Sequence, residues 1–400
     1  MPRSGALRAA LLNASLIVVS LIIGLVFIEA GLRLAVRRNN PDAELSLIMK
    51  TGEFKDPNLG FRIPPNAPGH DARGFRNPSA LTSADFVALG DSQTWGYNAR
   101  REDSWPAVLQ KLSGRSAYNM AIPGSGPVQY WALSGEALQL SPRVVIVGFY
   151  FGNDLGDAYS IVYTTGAHPE LRNPDIGSTL DRNTLNEEWT RFNADLDQFR
   201  RQTAPWRLGF TEWSMAHVAM ARFLEHRNLW PRWDEQTERE YARVHPDIET
   251  AFDNGKVRTI LKPALRLALL DQNEPRIREG LRLTEVVFQR LEQSCAEHNS
   301  RLLIALIPTK EMVFARQVQR CGALGPAYTR LIENEKRDKE QLERAFDNEG
   351  ISYLDLAPPL QSALDANSPI YLTGGDGHPD AVGYKVIAEA VWRKIQASNW

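Results

Sequence analysis

The sequence predicts an α/β protein in which helices cover both faces of a parallel β-sheet, behind one N-terminal apolar helix. Short apolar runs at 86–89, 144–147, 302–307 and 351–356 alternate with amphipathic helical patterns. Such alternation is typical of a parallel sheet, because each crossover between parallel strands needs a helix. The N-terminal run is of another kind, since residues 9–28 contain no charged side chain.

Composition excludes several classes of protein. Apolar residues make up 43% of the 400 positions and charged residues 24%, as in ordinary globular proteins. The net charge of −2, with no basic run after the N-terminal region, excludes an electrostatic nucleic-acid site, so we expect no nucleic-acid partner. Two cysteines exclude a cysteine-based zinc site, and the seven histidines show no metal-ligand spacing. No nucleotide-binding glycine motif occurs, and we therefore expect no cofactor and no metal.

The uncharged run 9–28 is 20 residues long, enough for a helix to cross a bilayer of about 30 Å. A cleaved signal peptide has an apolar region of about 7–15 residues, and a buried core helix is the third alternative. We predict a single-pass anchor in residues 1–36 that contacts membrane lipid. Arginines flank the run on both sides, so charge alone does not predict its orientation: Arg3, Arg8, Arg33, Arg37 and Arg38.

The rest of the chain divides by pattern. Residues 37–80 are predicted to be a proline-rich connector, in which the repeated Gly-Phe-Arg at 60–62 and 74–76 marks two turns. Residues 81–156 and 286–400 carry the sheet pattern, and 157–285 are predicted to be a helical insertion. Five tryptophans in the insertion either pack it onto the sheet domain or form a surface for sugar rings or lipid: Trp189, Trp206, Trp213, Trp230 and Trp233.

A Gly-Asp-Ser turn follows the first predicted strand of the sheet. Ser92 would lie at the carboxyl end of a parallel strand, where open α/β sheets bind their ligands. The alternative is a serine that only caps the next helix.

Three further polar loops follow later strands or precede the last helix. Gly124 lies in a glycine-rich loop, and Asn153 follows the run 144–150 and could donate a hydrogen bond to an oxyanion. His378, two residues after Asp376, could act as the general base for a serine hydroxyl. Taken alone, each of these loops also fits an ordinary turn.

Together and in this order, the four loops resemble the SGNH (GDSL-type) hydrolase family over residues 80–155 and 286–400. The resemblance implies a flavodoxin-like three-layer α/β/α domain. It implies Ser92 as nucleophile, His378 as base and Asp376 as the acid that orients the base. The backbone N–H groups of Ser92 and Gly124, with the Asn153 side chain, would form the oxyanion hole.

One position departs from the family pattern. The family places its acid three residues before the histidine, where this chain has Gly375. On an extended segment, residues two apart point the same way, so we expect Asp376 still to reach the imidazole. A backbone carbonyl or a water is the alternative partner for His378.

The expected function is that of a membrane-anchored serine esterase, with its body on the extracytoplasmic (periplasmic) side of a bacterial membrane. That location follows from similarity to tethered SGNH proteins. Its substrate would be an acylated, for example O-acetylated, cell-surface glycan or a lipid ester. The alternatives are an O-acyltransferase that uses the same residues on a polysaccharide, and a catalytically silent glycan- or lipid-binding scaffold. Cys295 and Cys321 either form a disulfide or are two buried thiols.

Overall fold

A computed structural model describes residues 13–17, 19–31, 55–67, 69–176, 198, 233–246, 248–322 and 324–400. Its strands occur in chain order as β1 to β9: Lys55–Asp56, Gly60–Phe61, Phe86–Gly90, Ala117–Asn119, Val144–Tyr150, Thr250–Asp253, Arg258–Leu261, Arg301–Ile307 and Ser352–Asp355.

The helices, numbered α1 to α12, are Asn13–Gly31, Ser92–Trp95, Trp105–Ser113, Pro127–Leu138, Asp154–Tyr159, Trp233–Val244, Pro263–Ala268, Pro275–Glu297, Lys310–Cys321, Pro326–Glu349, Ala357–Asp365 and Ala381–Ala397. Proline occupies the first turn of α3, α4, α7, α8, α10 and α11. A proline is tolerated there because its missing N–H has no intrahelical partner at that position.

The central sheet has five strands in the order β4-β3-β5-β8-β9, and every neighbouring pair is parallel. Counted along the chain, this is the flavodoxin-like order 2-1-3-4-5. The α/β/α fold predicted from the sequence is therefore confirmed. The strand order reverses direction between β3 and β5, and at such a point the loops after the two strands leave a crevice.

Each face of the sheet has its own apolar cluster. Val87 and Leu89 face one cluster, with α4, α5 and α8, whereas Phe86 and Ala88 face the other, with α3, α9, α11 and α12. Successive strand residues point to opposite faces, so a strand covered on both sides must be apolar at every position. All seven residues of β5 are buried, as that requirement predicts.

The region 157–285 is only partly helical in its described residues. β6 and β7 form an antiparallel hairpin, which corrects the expectation of a purely helical insertion. A four-residue loop, 254–257, joins the two strands, and Gly255 in it has a φ of +82°, a conformation that glycine adopts without strain. Four of the five tryptophans in the predicted insertion, at positions 189, 206, 213 and 230, lie outside the described residues. The prediction that they pack on the sheet domain or form a binding surface therefore falls outside these residues too.

The N-terminal helix α1 is long and apolar enough to cross a membrane, with a mean hydropathy of 2.4. None of its most apolar window is buried against the rest of the chain.

The two cysteines lie in different surroundings. Cys295 is buried in α8, whereas Cys321 is exposed at the end of α9. Both cysteines are free thiols, so no disulfide forms, but the exposure of Cys321 corrects the alternative of two buried thiols.

Candidate active site

Ser92 lies on a tight turn at the carboxyl end of β3. It is the first residue of α2, and the carboxylate of Asp91 caps this helix by accepting from the Gln93 N–H at 2.8 Å. The first N–H groups of a helix have no partner four residues earlier, so the Ser92 N–H points out of the helix start. α2 ends after one turn at Gly96, whose φ is +92°.

His378 lies against this serine. Its Nε2 atom is 2.7 Å from Ser92 Oγ, and its Nδ1 atom is 2.9 Å from Asp376 Oδ1. The structure thus brings together the three residues that the sequence pattern nominated as nucleophile, base and acid. These distances are those needed for proton transfer from a hydroxyl to an imidazole that a carboxylate orients.

The two-residue spacing between acid and histidine is accommodated by a turn, not by the extended segment we expected. The backbone N–H of His378 donates to Asp376 Oδ1 at 2.8 Å. This is the hydrogen bond of an Asx turn, in which an aspartate accepts from the backbone two residues ahead. One oxygen of Asp376 therefore holds both the backbone and the imidazole of His378.

Asp376 is kept ionised by its donors. Burial acts to raise the pKa of its carboxyl, but the hydrogen bonds and charge of His378 outweigh burial and leave the pKa well below its usual value. The side chain of Asn98 adds a third donor at 2.8 Å from Oδ1. Asn98, which the sequence analysis did not single out, is thus a second support for the carboxylate.

Lys310 anchors the backbone of the loop that carries Asp376. Its ammonium group donates to the carbonyl oxygens of Gly374 and Asp376, both at 2.8 Å, and the residue is 1% exposed. Burial lowers the pKa of Lys310 to about 8. A buried ammonium group needs such acceptors, since it has lost its water.

The region 233–268 holds the same loop from another side. The Thr259 hydroxyl donates to the carbonyl oxygens of Leu372 at 2.9 Å and Gly374 at 3.2 Å. The carboxylate of Glu238 accepts from the Gly375 N–H at 3.1 Å. The predicted insertion therefore contacts the candidate catalytic loop directly.

Gly124 and Asn153 lie in the loops after β4 and β5, the two neighbours of β3 in the sheet. Gly124 is exposed, with a φ of +75°. The Asn153 amide donates to Asp157 Oδ2 at 2.6 Å, which uses one of the two hydrogens on its nitrogen. The Asn153 side chain also hydrogen-bonds the Asp91 carboxylate. Donation to a substrate oxygen therefore requires one of these two bonds to open.

Three acids lie behind these loops: Asp91 and Asp154 are buried, and Asp157 is half-buried. Burial raises the pKa of Asp91 and of Asp154, and it raises the pKa of Asp157 to about 7. Asp154 accepts hydrogen bonds from the Tyr130 hydroxyl at 3.1 Å and from the Tyr150 N–H at 3.0 Å. Neither Asp154 nor Asp157 was predicted to belong to the site, because an aspartate near a turn gives no sign in the sequence that it is buried.

The second Gly-Phe-Arg turn of the connector supports the serine turn. Phe75 is buried, as the expected edge packing requires, and the Arg76 guanidinium lies 3.8 Å from the centre of the Trp95 ring. Arg76 also donates to the backbone oxygens of Trp95, Gly96 and Ala99 at 2.7–3.1 Å. The end of α2 is therefore fixed by an arginine from outside the sheet domain.

Among the described residues, no group of three or more histidine, cysteine or acidic side chains is arranged to hold a metal ion. The chemistry available at this site is that of a serine hydroxyl, an imidazole, a carboxylate and amide donors. Such a set can attack a carbonyl carbon and stabilise the resulting negative oxygen.

No protein-family model matches the chain, and no curated protein matches it. Among solved structures it is similar to a phospholipase A1 from Streptomyces albidoflavus, with 11% identity, 79% of this chain and 99% of that one covered, and a TM-score of 0.37. An acetylxylan esterase from Geobacillus stearothermophilus gives 11% identity, coverage of 79% and 95%, and a TM-score of 0.36. A GDSL-like lipase from Bacteroides thetaiotaomicron gives 10% identity, coverage of 78% and 88%, and a TM-score of 0.34. The chemical interpretation of the site therefore rests on its own geometry.

Proposed function

We propose that this chain is a membrane-anchored serine esterase of SGNH type that hydrolyses carboxylic esters. The observation that carries the proposal is the 2.7 Å contact between His378 Nε2 and Ser92 Oγ, with Asp376 on the other ring nitrogen. A serine that merely capped a helix would have no reason to meet an imidazole so oriented. The crevice between the ends of β3 and β5 is also where this type of sheet binds ligands.

In the first half-reaction, His378 takes the hydroxyl proton of Ser92 as its oxygen attacks the ester carbonyl. The carbonyl oxygen becomes negative, and the N–H groups of Ser92 and Gly124, with the Asn153 amide, donate to it. Collapse of this intermediate breaks the bond to the alcohol, which leaves with the proton held by His378. Ser92 then carries the acyl group as an ester.

In the second half-reaction, a water molecule replaces the alcohol. His378 removes one proton from the water, which attacks the acyl carbon, and the proton returns to Ser92 as the acid leaves. Asp376 stays ionised throughout, in keeping with its lowered pKa, and stabilises the imidazolium that forms in each half. No group outside this chain and water is required.

The substrate we propose is an acylated cell-surface glycan or a lipid ester, reached from the membrane. The helix α1 supports a membrane anchor, since its length and mean hydropathy of 2.4 suit a bilayer. We place the body on the extracytoplasmic side, where O-acylated glycans and the outer lipid leaflet are exposed. Both substrate classes offer the same ester carbonyl to Ser92.

The test uses the full chain in detergent with a fluorophosphonate probe and with nitrophenyl esters of short and long acids. We expect the probe to label the wild type but not Ser92→Ala. We also expect hydrolysis to be at least about 10³-fold slower in that variant. Equal labelling of both proteins would contradict the proposal and favour a scaffold that only binds. Transfer of an acetyl group to an added sugar without release of free acid would identify an O-acyltransferase instead.

A further inference from the structure

Arg266, on α7, lies between two loops of the candidate active site. Its Nη1 donates to the carbonyl oxygen of Gly152 at 2.9 Å, and Gly152 directly precedes Asn153. Its Nη2 lies 2.7 Å from the point that a Cβ on Gly377 would occupy, and Gly377 directly precedes His378. The guanidinium group is thus adjacent to both the proposed oxyanion donor and the proposed base.

Most of the hydrogen-bonding capacity of this arginine is unused within the described residues. A guanidinium group has five N–H donors, and here only the bond from Nη1 to Gly152 forms. In the same described ranges, no carboxylate forms an ion pair with Arg266, although the side chain is half-buried. The charges of Asp376, Glu311 and Glu335 act on Arg266 from beyond ion-pair distance. Its unused N–H donors can still donate two parallel hydrogen bonds to an anionic ligand.

Tyr150, at the end of β5, provides a second polar group beside Arg266. Its hydroxyl is buried and has no hydrogen-bond partner among the described residues. The carbon at the centre of the guanidinium group lies 5.6 Å from the centre of the Tyr150 ring. A buried hydroxyl without a partner is unfavourable, and a ligand that supplies an acceptor is one explanation for such a group near an active site.

Two glycines let the loops of the candidate site pack directly against Tyr150 and Arg266. A Cβ on Gly152 would lie 2.3 Å from the Tyr150 ring, and one on Gly377 would lie 3.1 Å from its hydroxyl. Side chains at these two positions would displace Tyr150 or Arg266, so the close approach of the two loops to these residues depends on two glycines.

We propose that Arg266, assisted by the Tyr150 hydroxyl, forms a subsite that binds a carboxylate or phosphate group of the substrate. This inference rests on the proposed ester hydrolysis, and it narrows the substrate class. The substrate is an ester that carries a negative group within a few bonds of the carbonyl attacked by Ser92.

The test compares pairs of esters that differ only in charge. Mono-nitrophenyl esters of glutaric, adipic and pimelic acid place a carboxylate on the acyl side, and the pentanoate, hexanoate and heptanoate are their neutral counterparts. 4-Acetoxybenzoate and its methyl ester place the charge on the alcohol side. For the wild type we expect one anionic ester to exceed its neutral counterpart at least tenfold in kcat/KM.

In Arg266→Met we expect that preference to fall at least tenfold beyond any loss on the neutral ester, and in Arg266→Lys we expect part of it to remain. Arg278→Met is the matched control, because Arg278 also donates to a backbone oxygen, that of Gln272 at 3.0 Å, but is exposed on α8. We expect the control to keep the wild-type preference on both ester pairs.

Equal losses on charged and neutral esters in Arg266→Met would overturn the subsite and leave Arg266 as a residue that only holds the Gly152 loop. No preference in the wild type would overturn it as well. A wild type that hydrolyses no ester would refute the proposed function instead. In that case calorimetric binding of phenylphosphonate to the wild type, lost in Arg266→Met, would still support the subsite, and its absence would reject it.

Discussion

The Nε2 atom of His378 lies 2.7 Å from Oγ of Ser92, although 286 positions of the chain separate the two residues. The contact forms because the turn after β3 and the loop before α12 lie at the same edge of the sheet. That edge is the carboxyl end of the parallel strands, so the arrangement is a consequence of topology and of the Asx turn at Asp376.

Replacement of Asp376 by asparagine tests whether its negative charge is needed for catalysis. In Asp376→Asn we expect kcat to fall about 10²–10⁴-fold, because an amide cannot stabilise the imidazolium and favours the wrong tautomer. Asp380→Asn is the control, since asparagine can still cap α12 as Asp380 does. Steady-state hydrolysis of a nitrophenyl ester measures both, and a variant of Asp376 with near-normal kcat would show that His378 has another partner.

The Asn153 amide is predicted to act only when the carbonyl oxygen becomes charged. In Asn153→Ala we expect kcat to fall about 10²–10³-fold with KM changed by less than about threefold, as for loss of one oxyanion donor. Asn273→Ala, at an exposed loop position, should keep wild-type kinetics. If Asn153→Ala raised KM and left kcat unchanged, the side chain would bind substrate without stabilising the oxyanion.

Lys310 is predicted to position the catalytic loop without touching the substrate. In Lys310→Met the carbonyl oxygen of Asp376 loses its buried donor and that of Gly374 keeps only the more distant Thr259 hydroxyl, so we expect kcat to fall about 10–100-fold at nearly constant KM. Lys111→Met is matched to it, since Lys111 also donates to a backbone oxygen, that of Glu102, but is exposed. Normal kcat in Lys310→Met would show that the loop keeps its geometry without this ammonium group.

The raised pKa of Asp157 predicts how stability changes with pH. Because its pKa is about 7 in the folded protein and near 3.8 otherwise, the proton is held more tightly when folded, and this contribution is lost as pH rises from about 4 to 7. Between pH 5 and pH 8 the free energy of unfolding should therefore fall by about 2 kcal/mol less in Asp157→Asn than in the wild type. Denaturant unfolding at the two pH values measures the difference.

The other titrating groups do not reverse that sign. Asp91 and Asp154 have raised pKa values too, and the charge of Asp157 helps to raise the pKa of Asp154. Removal of that charge lowers the pKa of Asp154, which acts in the same direction. Asp376 has a lowered pKa, and its stabilising contribution is lost only as pH falls below the window. A steeper pH dependence in Asp157→Asn than in the wild type would refute the assignment.

Close packing of α8 against α5 gives a prediction on stability alone. A Cβ on Gly280 would lie 1.9 Å from the backbone oxygen of Leu155, so the two helices would have to separate. We expect Gly280→Ala to lower the free energy of unfolding by about 3 kcal/mol. Gly135→Ala, where no atom lies within 4 Å, should be neutral or stabilising by up to about 1 kcal/mol, because alanine favours a helix. Equal melting temperatures for the two variants would contradict the packing.

The sheet could be predicted because its strands are apolar at consecutive positions, which only burial on two faces requires. The predicted run 302–307 matches β8 to within one residue, and β5 begins at the predicted position 144 and continues to Tyr150. The hairpin of β6 and β7 was missed because four-residue strands in a charged region give a weak pattern. The Asn254-Gly255 pair in its loop was the signal that could have revealed it.

The candidate active site was also predictable only in part. Ser92 and His378 could be nominated because their residue types and neighbours follow a motif. Lys310, Arg266 and Arg76 could not, since each acts through backbone oxygens that are distant in sequence. A lysine or arginine in a helical pattern is ordinarily a solvated surface residue, and only the fold shows which ones are buried against a loop.

The contacts of Glu238 and Thr259 with residues 372–375 also bear on how such an enzyme could diversify. A chimaera with residues 233–268 taken from a relative would have new side chains beside the candidate site. It would also have new hydrogen bonds to the loop that carries His378. Substrate choice and turnover number would then change as one trait under selection. Recombination could separate them only if the incoming segment retained an acceptor for the Gly375 amide and a donor for the Gly374 carbonyl.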